Sequence, residues 1–419
     1  MPYLKIVGGK PLAGEITVQG SKNAALPVLA ACLLGDGPCV IENCPQIQDV
    51  EDTLFLLKQL GVGVQRDGSC ISVDASGLNN CSVCGIQAER IRSSVLFLGA
   101  LLGRMGKAEL PIPGGCAIGR RPVDLHLEAM QRLGAHITEQ KDTIRAQTRS
   151  LRGSRIRLAL PSVGATENAI LAAALADGDT VIEHAAREPE VEGLCRFLTL
   201  RGADIRRTED GTVHIRGKKT LAPVRFSLQP DRIVAGTYLL AAASCGGRIR
   251  IRNLPFDEMQ APIRVLRQMG MEISSDGHAR ADIPLRAVAH LATEPYPGFP
   301  TDLQSPLMAA LSTARGCSRI CETVFENRFA TVQQLRKMGA KIEIAANCAV
   351  IEGVGRLHGE KISAPDLRGG AALAAAALAA DGCTLLGGYE YIARGYEDIC
   401  RDLRSLGADI NLTEGMVDL

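Results

Sequence analysis

One short pattern recurs six times along this chain and restricts its fold more than any other feature. It appears as Leu60-Gly61-Val62, Leu133-Gly134-Ala135, Arg201-Gly202-Ala203, Met269-Gly270-Met271, Met338-Gly339-Ala340 and Leu406-Gly407-Ala408. The marker glycines stand 73, 68, 68, 69 and 68 residues apart. A period this steady denotes one supersecondary unit repeated, and a repeat outranks local propensity as a guide to architecture.

Each copy follows the same grammar. An apolar-periodic helix, such as Asp49 to Leu60 or Pro122 to Leu133, runs into the marker glycine, which suits the left-handed position just past a helix end. An alternating segment follows, turned at Asp67-Gly68, Asp210-Gly211 or Asp276-Gly277 into a hairpin. A second, alanine-rich helix precedes a short β-like run in every unit: Asn23 to Leu34, Arg92 to Leu102, Thr166 to Ala176, Arg232 to Ser244, Leu303 to Ala314 and Arg368 to Ala380. Alanine at that density predicts helices packed inside a layer. The unit therefore reads α-β-α-β-β. At 419 residues the chain exceeds one hydrophobic core, so six units divide into two domains of three. The stretch Leu221 to Asp231, with Pro223 and Pro230, is the expected boundary, and Tyr3 to Gln19 is expected to be a strand completing the sheet of the second half. That gives a first domain over 21–229 and a second over 1–20 plus 230–419, with a ligand cleft between them.

Lys+Arg 47 against Asp+Glu 46 leaves no global field to recruit nucleic acid. Aromatics at 3% offer no stacking platform for bases. The 14 cysteines are spread from Cys32 to Cys400, and no charged start leads into an apolar run at Met1 to Lys10. The expectation is a cytoplasmic chain with reduced thiols. Cys81 and Cys84 have metal-like spacing but no second pair nearby. The longest apolar run, Ala371 to Ala380, is too short to span a bilayer.

Several stretches carry residues the repeat does not need. Leu110 to Leu125 holds three glycines and three prolines and must be a loop for much of its length; at its centre Cys116 is followed by Arg120 and Arg121. Cations beside a thiol pull its pKa below the free value of about 8.5, making an acid/base cysteine over an anionic substrate a chemical possibility. Gly20-Ser21-Lys22-Asn23 places a lysine at a helix start, unfavourable to the helix dipole unless an anion sits there; Ser21 or Asn23 could equally be a cap. Ser162-Val163-Gly164 is a small-residue turn entering a helix, whose N–H groups could hold a diphosphate. Asp302 opens another helix as an N-cap or a base, and Arg328, Arg368 and Arg394 stand at element ends.

The six repeats together with Gly20-Ser21-Lys22-Asn23-Ala24-Ala25-Leu26-Pro27, Pro113-Gly114-Gly115-Cys116, Arg121-Pro122-Val123-Asp124-Leu125 and Thr323-Val324-Phe325-Glu326-Asn327-Arg328 closely resemble the enolpyruvyl transferases. Among these they resemble the UDP-N-acetylglucosamine 1-carboxyvinyltransferases of bacterial peptidoglycan synthesis, over essentially the whole chain. The resemblance implies a two-domain inside-out α/β barrel, each domain threefold pseudo-symmetric. It implies transfer of the enolpyruvyl group of phosphoenolpyruvate to the 3′-hydroxyl of UDP-N-acetylglucosamine, with no metal or organic cofactor; a monomer or weak oligomer is the expected working form. Cys116 is then the acid that protonates the methylene carbon, and Asp302 the base near the 3′-hydroxyl. Lys22, Arg121 and Arg394 grip the phosphate; Asn23, Arg92, Arg328 and Arg368 complete the anionic surroundings. Arg121, Pro122, Val123, Asp124, Leu125, Ser162, Val163, Gly164, Asp302 and Val324 line the nucleotide-sugar site. Two departures stand out: Leu160-Pro161 where some members carry a lysine, and Ala393 where an aspartate is common. The neighbouring readings are the shikimate-pathway enolpyruvyl transferase and a nucleotide-sugar-binding paralogue without turnover.

Overall fold

A computed structural model describes residues 2–112 and 123–414, with the Glu414 side chain outside the description. The chain falls into two compact units, one of residues 20–112 and 123–229, the other of residues 2–19 and 230–414. Each has its own continuous apolar core.

The alanine-rich helices form the centre of each unit. In the first these are α1 (Lys22–Ala31), α2 (Leu96–Met105) and α3 (Val163–Ala173); in the second they are α4 (Arg232–Cys245), α5 (Gln304–Leu311) and α6 (Leu367–Ala379). Nearly all their residues are buried, and α4, α5 and α6 pack pairwise, as do α1 with α2 and α2 with α3. Small side chains make this possible. A Cβ on Gly99 of α2 would lie 2.3 Å from the Asn168 carbonyl oxygen of α3, so that crossing accepts only glycine.

Sheets wrap the helices, helices inside and strands outside. Among the described residues five of the seven sheets have four strands, one edge pair of each being parallel and the remaining pairs antiparallel; a two-stranded sheet joins Leu357–His358 to Ala380–Asp381. In the first unit, for example, Arg225–Ser227 lies parallel to Pro38–Glu42, which pairs with Cys70–Asp74 and then Gly63–Asp67. The sheet of Lys107–Pro111, Thr143–Gln147 and His136–Gln140 has three strands, its parallel edge reduced to a bridge between Ser82 and Glu109. The Asp-Gly hairpins fall between paired strands as expected, and all six marker glycines adopt φ between +84° and +104° directly after the outer helices. At those positions a side chain would be strained in every copy.

Three expectations need correction. Tyr3 to Gln19 is two strands, Pro2–Val7 and Leu12–Ile16, because the Gly8-Gly9 corner redirects the chain. They enter different sheets of the second unit: Pro2–Val7 inserts between Cys383–Gly387 and Asp409–Glu414, and Leu12–Ile16 runs parallel to Gly247–Ile251. Leu221 to Asp231 is more than a linker, since Arg225–Ser227 supplies the parallel edge strand that the first unit lacks at its start. Finally, not every thiol is reduced: Cys321 and Cys348, directly opposed across an antiparallel ladder, form a disulfide.

Candidate functional site

Ser21 caps α1 by accepting a hydrogen bond from the Ala24 N–H, leaving Lys22 and Asn23 in the first turn. The unfavourable lysine at this helix start has its anion within the protein: Lys22 Nζ lies 2.8 Å from Asp49 Oδ2, with both side chains nearly buried. Asp49 sits in the first turn of the helix Gln48–Gln59, one turn before Asp52, whose carboxylate receives Arg90 Nε at 3.0 Å. Nothing in the motifs marks Asp49; the signal available was its spacing from Asp52, which puts two acids on one helix face.

A second cluster joins the helix Asp124–Arg132 to α2 and α3. Asn168 of α3 is fully buried and accepts from the Gly99 N–H at 2.7 Å while donating to the Val95 carbonyl at 2.8 Å. It also donates to His126 Nδ1 at 3.1 Å, which places the proton of the neutral ring on Nε2. Burial, aided by the charge of Arg92, pushes the His126 pKa down to about 3. The ring lies against the Ser162 turn: a Cβ on Gly164 would stand 3.0 Å from His126 Cε1. Ser162 caps α3 through the Ala165 N–H, and Leu160 beside it is an exposed apolar residue. Arg92 and Gly164 thus lie close to His126, a residue the motifs did not single out.

In the second unit three predicted residues meet directly. Asp302 lies in the short turn Thr301–Leu303 ahead of α5. Its carboxylate does not cap the helix; it accepts from Arg328 Nη2 at 2.6 Å on one oxygen, and from Arg368 Nε at 3.1 Å and Nη2 at 2.9 Å on the other. Burial alone would raise its pKa, but Arg368 and Arg328 outweigh burial and hold it well below the usual carboxylate range. Arg328 Nε and Arg368 Nη1 are buried and meet no hydrogen-bond partner among the described residues. The Arg328 guanidinium also stacks 5.0 Å from the Phe325 ring. Two buried cations around one carboxylate, with donors to spare, can take a further anion.

Val324 is positioned by a residue that no motif singles out. Buried Glu322 accepts from the Val324 N–H at 2.8 Å and the Phe325 N–H at 3.1 Å, and from the Thr301 hydroxyl at 2.9 Å. It ties the Val324 turn to the turn carrying Asp302. Arg394 follows the short helix Tyr389–Ile392 and its cap Ala393, with its N–H donating to the Tyr391 carbonyl. Cys116, Arg121 and Pro122 lie outside the described residues. Among the described residues no cluster of three His, Cys, Asp or Glu side chains could hold a metal ion, and no helix is long and apolar enough to cross a membrane.

Comparison with known proteins gives these clusters a context. The family model for EPSP synthase (3-phosphoshikimate 1-carboxyvinyltransferase) matches residues 6–403. UDP-N-acetylglucosamine 1-carboxyvinyltransferase 2 of Caldanaerobacter subterraneus subsp. tengcongensis is 44% identical over 98% of this chain and 99% of its own. UDP-N-acetylglucosamine 1-carboxyvinyltransferase of Lawsonia intracellularis is 42% identical over 99% of this chain and 100% of its own. Among solved structures, the enolpyruvyl transferase NikO from Streptomyces tendae has a TM-score of 0.89 at 28% identity, covering 98% of this chain and 99% of its own. EPSP synthase from Acinetobacter baumannii has a TM-score of 0.75 at 19% identity, covering 99% and 100%, a likeness that speaks to the fold alone.

Proposed function

We infer from one premise, that this chain belongs to the enolpyruvyl transferase family and to its UDP-N-acetylglucosamine 1-carboxyvinyltransferase branch, that it transfers the enolpyruvyl group of phosphoenolpyruvate to the 3′-hydroxyl of UDP-N-acetylglucosamine. Phosphate leaves, and the product is the first committed to peptidoglycan. The observation that carries this reading is end-to-end identity of 44% with an enzyme of that name. Identity with a solved EPSP synthase is only 19%, so the shikimate-pathway acceptor is the weaker choice although the family model bears that enzyme's name.

The reaction proceeds by addition and elimination. A proton goes to the methylene carbon of phosphoenolpyruvate, the sugar hydroxyl adds to the neighbouring carbon and loses its own proton, and a methyl proton then leaves with phosphate. By family match we assign the first proton to Cys116 and the hydroxyl proton to Asp302. Lys22, Arg121 and Arg394 are assigned to the phosphate; Asn23, Arg92, Arg328 and Arg368 to the remaining negative charge; and Arg121 to Leu125, Ser162 to Gly164 and Val324 to the nucleotide sugar. The unused donors of Arg328 and Arg368 support the anion assignment. A carboxylate gripped by two arginines is a weak base, so Asp302 serves first as an acceptor that orients the hydroxyl. It gains basicity when an anionic reactant draws a guanidinium from it. We place the enzyme in the cytoplasm, because both proposed substrates are highly charged and do not cross a bilayer unaided.

The test is phosphate release from phosphoenolpyruvate. Release that requires UDP-N-acetylglucosamine and fails with shikimate 3-phosphate supports the reading. Release with shikimate 3-phosphate would reassign the acceptor, and tight nucleotide-sugar binding without any release would make the chain a binding paralogue.

A further inference from the structure

The disulfide stands one residue from the Glu322 network. Cys321 and Cys348 end and begin adjacent antiparallel strands, Cys317–Cys321 and Cys348–Glu352, and face each other in register. Both are largely buried, and the other eleven described cysteines form no disulfide among the described residues. On the next rung the Glu322 N–H donates to the Asn347 carbonyl at 2.8 Å, and Asn347 Nδ2 donates back to the Glu322 carbonyl at 3.0 Å. The covalent link therefore fixes the backbone from which the Glu322 carboxylate reaches Thr301, Val324 and Phe325. Glu322 itself is 2% exposed, so a carboxylate with three donors has no water to replace them if the turn shifts.

We propose that the Cys321–Cys348 disulfide is a redox latch on this turn: oxidised, it fixes Glu322 and through it Val324 and the Asp302 turn; reduced by a dithiol, it lets the turn loosen and weakens nucleotide-sugar binding. The consequence for the nucleotide sugar rests on the function proposed above, whereas the bond and its hold on the turn do not. A thiolate of the reductant attacks Cys321 Sγ, the Cys321–Cys348 bond breaks, and the electron pair leaves on Cys348 Sγ. The second thiol of the reductant then displaces Cys321. The reductant ends as a disulfide, and the protein gains two electrons and two protons as two thiols. Arg319 Nη2, 3.6 Å from Cys348 Sγ, favours the negative charge on that leaving sulfur. In a compartment held reducing by thiol systems, a bond of this kind is switched rather than permanent.

The experiment uses the full-length protein and the Cys321→Ala/Cys348→Ala double variant, each with and without dithiothreitol. Differential alkylation with peptide mapping reads the bond, hydrogen exchange over residues 323–325 reads the turn, and KM and kcat read the site. The parent should show Cys321 and Cys348 linked. Reduction should speed exchange over 323–325 and raise KM for UDP-N-acetylglucosamine roughly three- to tenfold, with less effect on kcat, as expected when a contact network rather than a ligand group is loosened. The double variant should behave as the reduced parent in both conditions. Because it retains Cys116, it also reports any effect of reductant on that thiol. The proposal is overturned if both cysteines alkylate fully in protein treated with oxidised glutathione, or if reduction leaves exchange and KM unchanged. Absence of turnover in every condition would instead contradict the proposed function, while alkylation and exchange would still decide the latch.

Discussion

Replacing Asp302 with alanine removes the one carboxylate seen between two buried guanidiniums. The Arg328 and Arg368 side chains are 4% and 5% exposed, while that of Asp302 is 24% exposed. Removing one partner of a buried pair costs about 3–5 kcal/mol, because the surviving charge is stranded. Partial access of water to the vacated position pulls the expected loss to the lower end, about 3 kcal/mol. For a unit of this size each kcal/mol moves the midpoint by about 2–4 °C, so the transition of the second unit should fall by roughly 6–12 °C in calorimetry. The two units need not melt together, so the shift must be read on that transition. Inorganic phosphate should restore more stability to the variant than to the parent, since the arginines would then lack their internal anion. The folded-state pKa of Asp302 is depressed. Its contribution is therefore present above the ordinary value of about 3.9 and lost as pH falls through the lower folded value, so the deficit should be flat from about pH 6 to pH 9. A variant that melts within about 2 °C of the parent, or above it, would refute the claim that Asp302 balances these charges.

Other substitutions probe separate parts of the account. Cys116→Ser should lower kcat by about 100-fold or more, because a hydroxyl is far too weak an acid to protonate carbon; parental turnover would end the cysteine assignment. Lys22→Ala should raise KM for phosphoenolpyruvate far more than for UDP-N-acetylglucosamine, and equal losses would count against its role at the phosphate. His126 is neutral when folded and takes up a proton when unfolded below about pH 6.5. Stability of the first unit should therefore decline as pH falls from there towards its folded value, by at most about 1.4 kcal/mol per pH unit from this group, and His126→Gln should flatten the decline in urea titrations.

The fold was legible because its repeat is written in glycine. A left-handed position after a helix tolerates little else, so Gly61 and its five counterparts mark every outer helix end without reference to tertiary structure. The alanine-rich helices were legible for a related reason, since only small side chains permit the approach seen between Gly99 and Asn168. What remained hidden depends on strands distant in sequence. Nothing local reveals that Pro2–Val7 enters the last sheet, or that Arg225–Ser227 returns to the first. The site divides in the same way. Asp302, Arg328 and Arg368 could be nominated from motifs, but their mutual pairing required three segments to meet. Asp49 and His126 escaped notice because each works through a partner far along the chain, and Glu322 because two of its three donors are main-chain N–H groups that any residue supplies. The Cys321–Cys348 bond likewise depends on strand register, which cysteine spacing does not disclose.

The central claim is that a proton is added to the methylene carbon of phosphoenolpyruvate and one is later removed from the resulting methyl group. Turnover with UDP-N-acetylglucosamine in heavy water, followed by mass spectrometry of the nucleotide-sugar product, tests it most directly. The account predicts a product heavier by one enolpyruvyl group and carrying deuterium on the vinyl carbon. Product formed without deuterium at that carbon, or no product under conditions where both substrates bind, would contradict it.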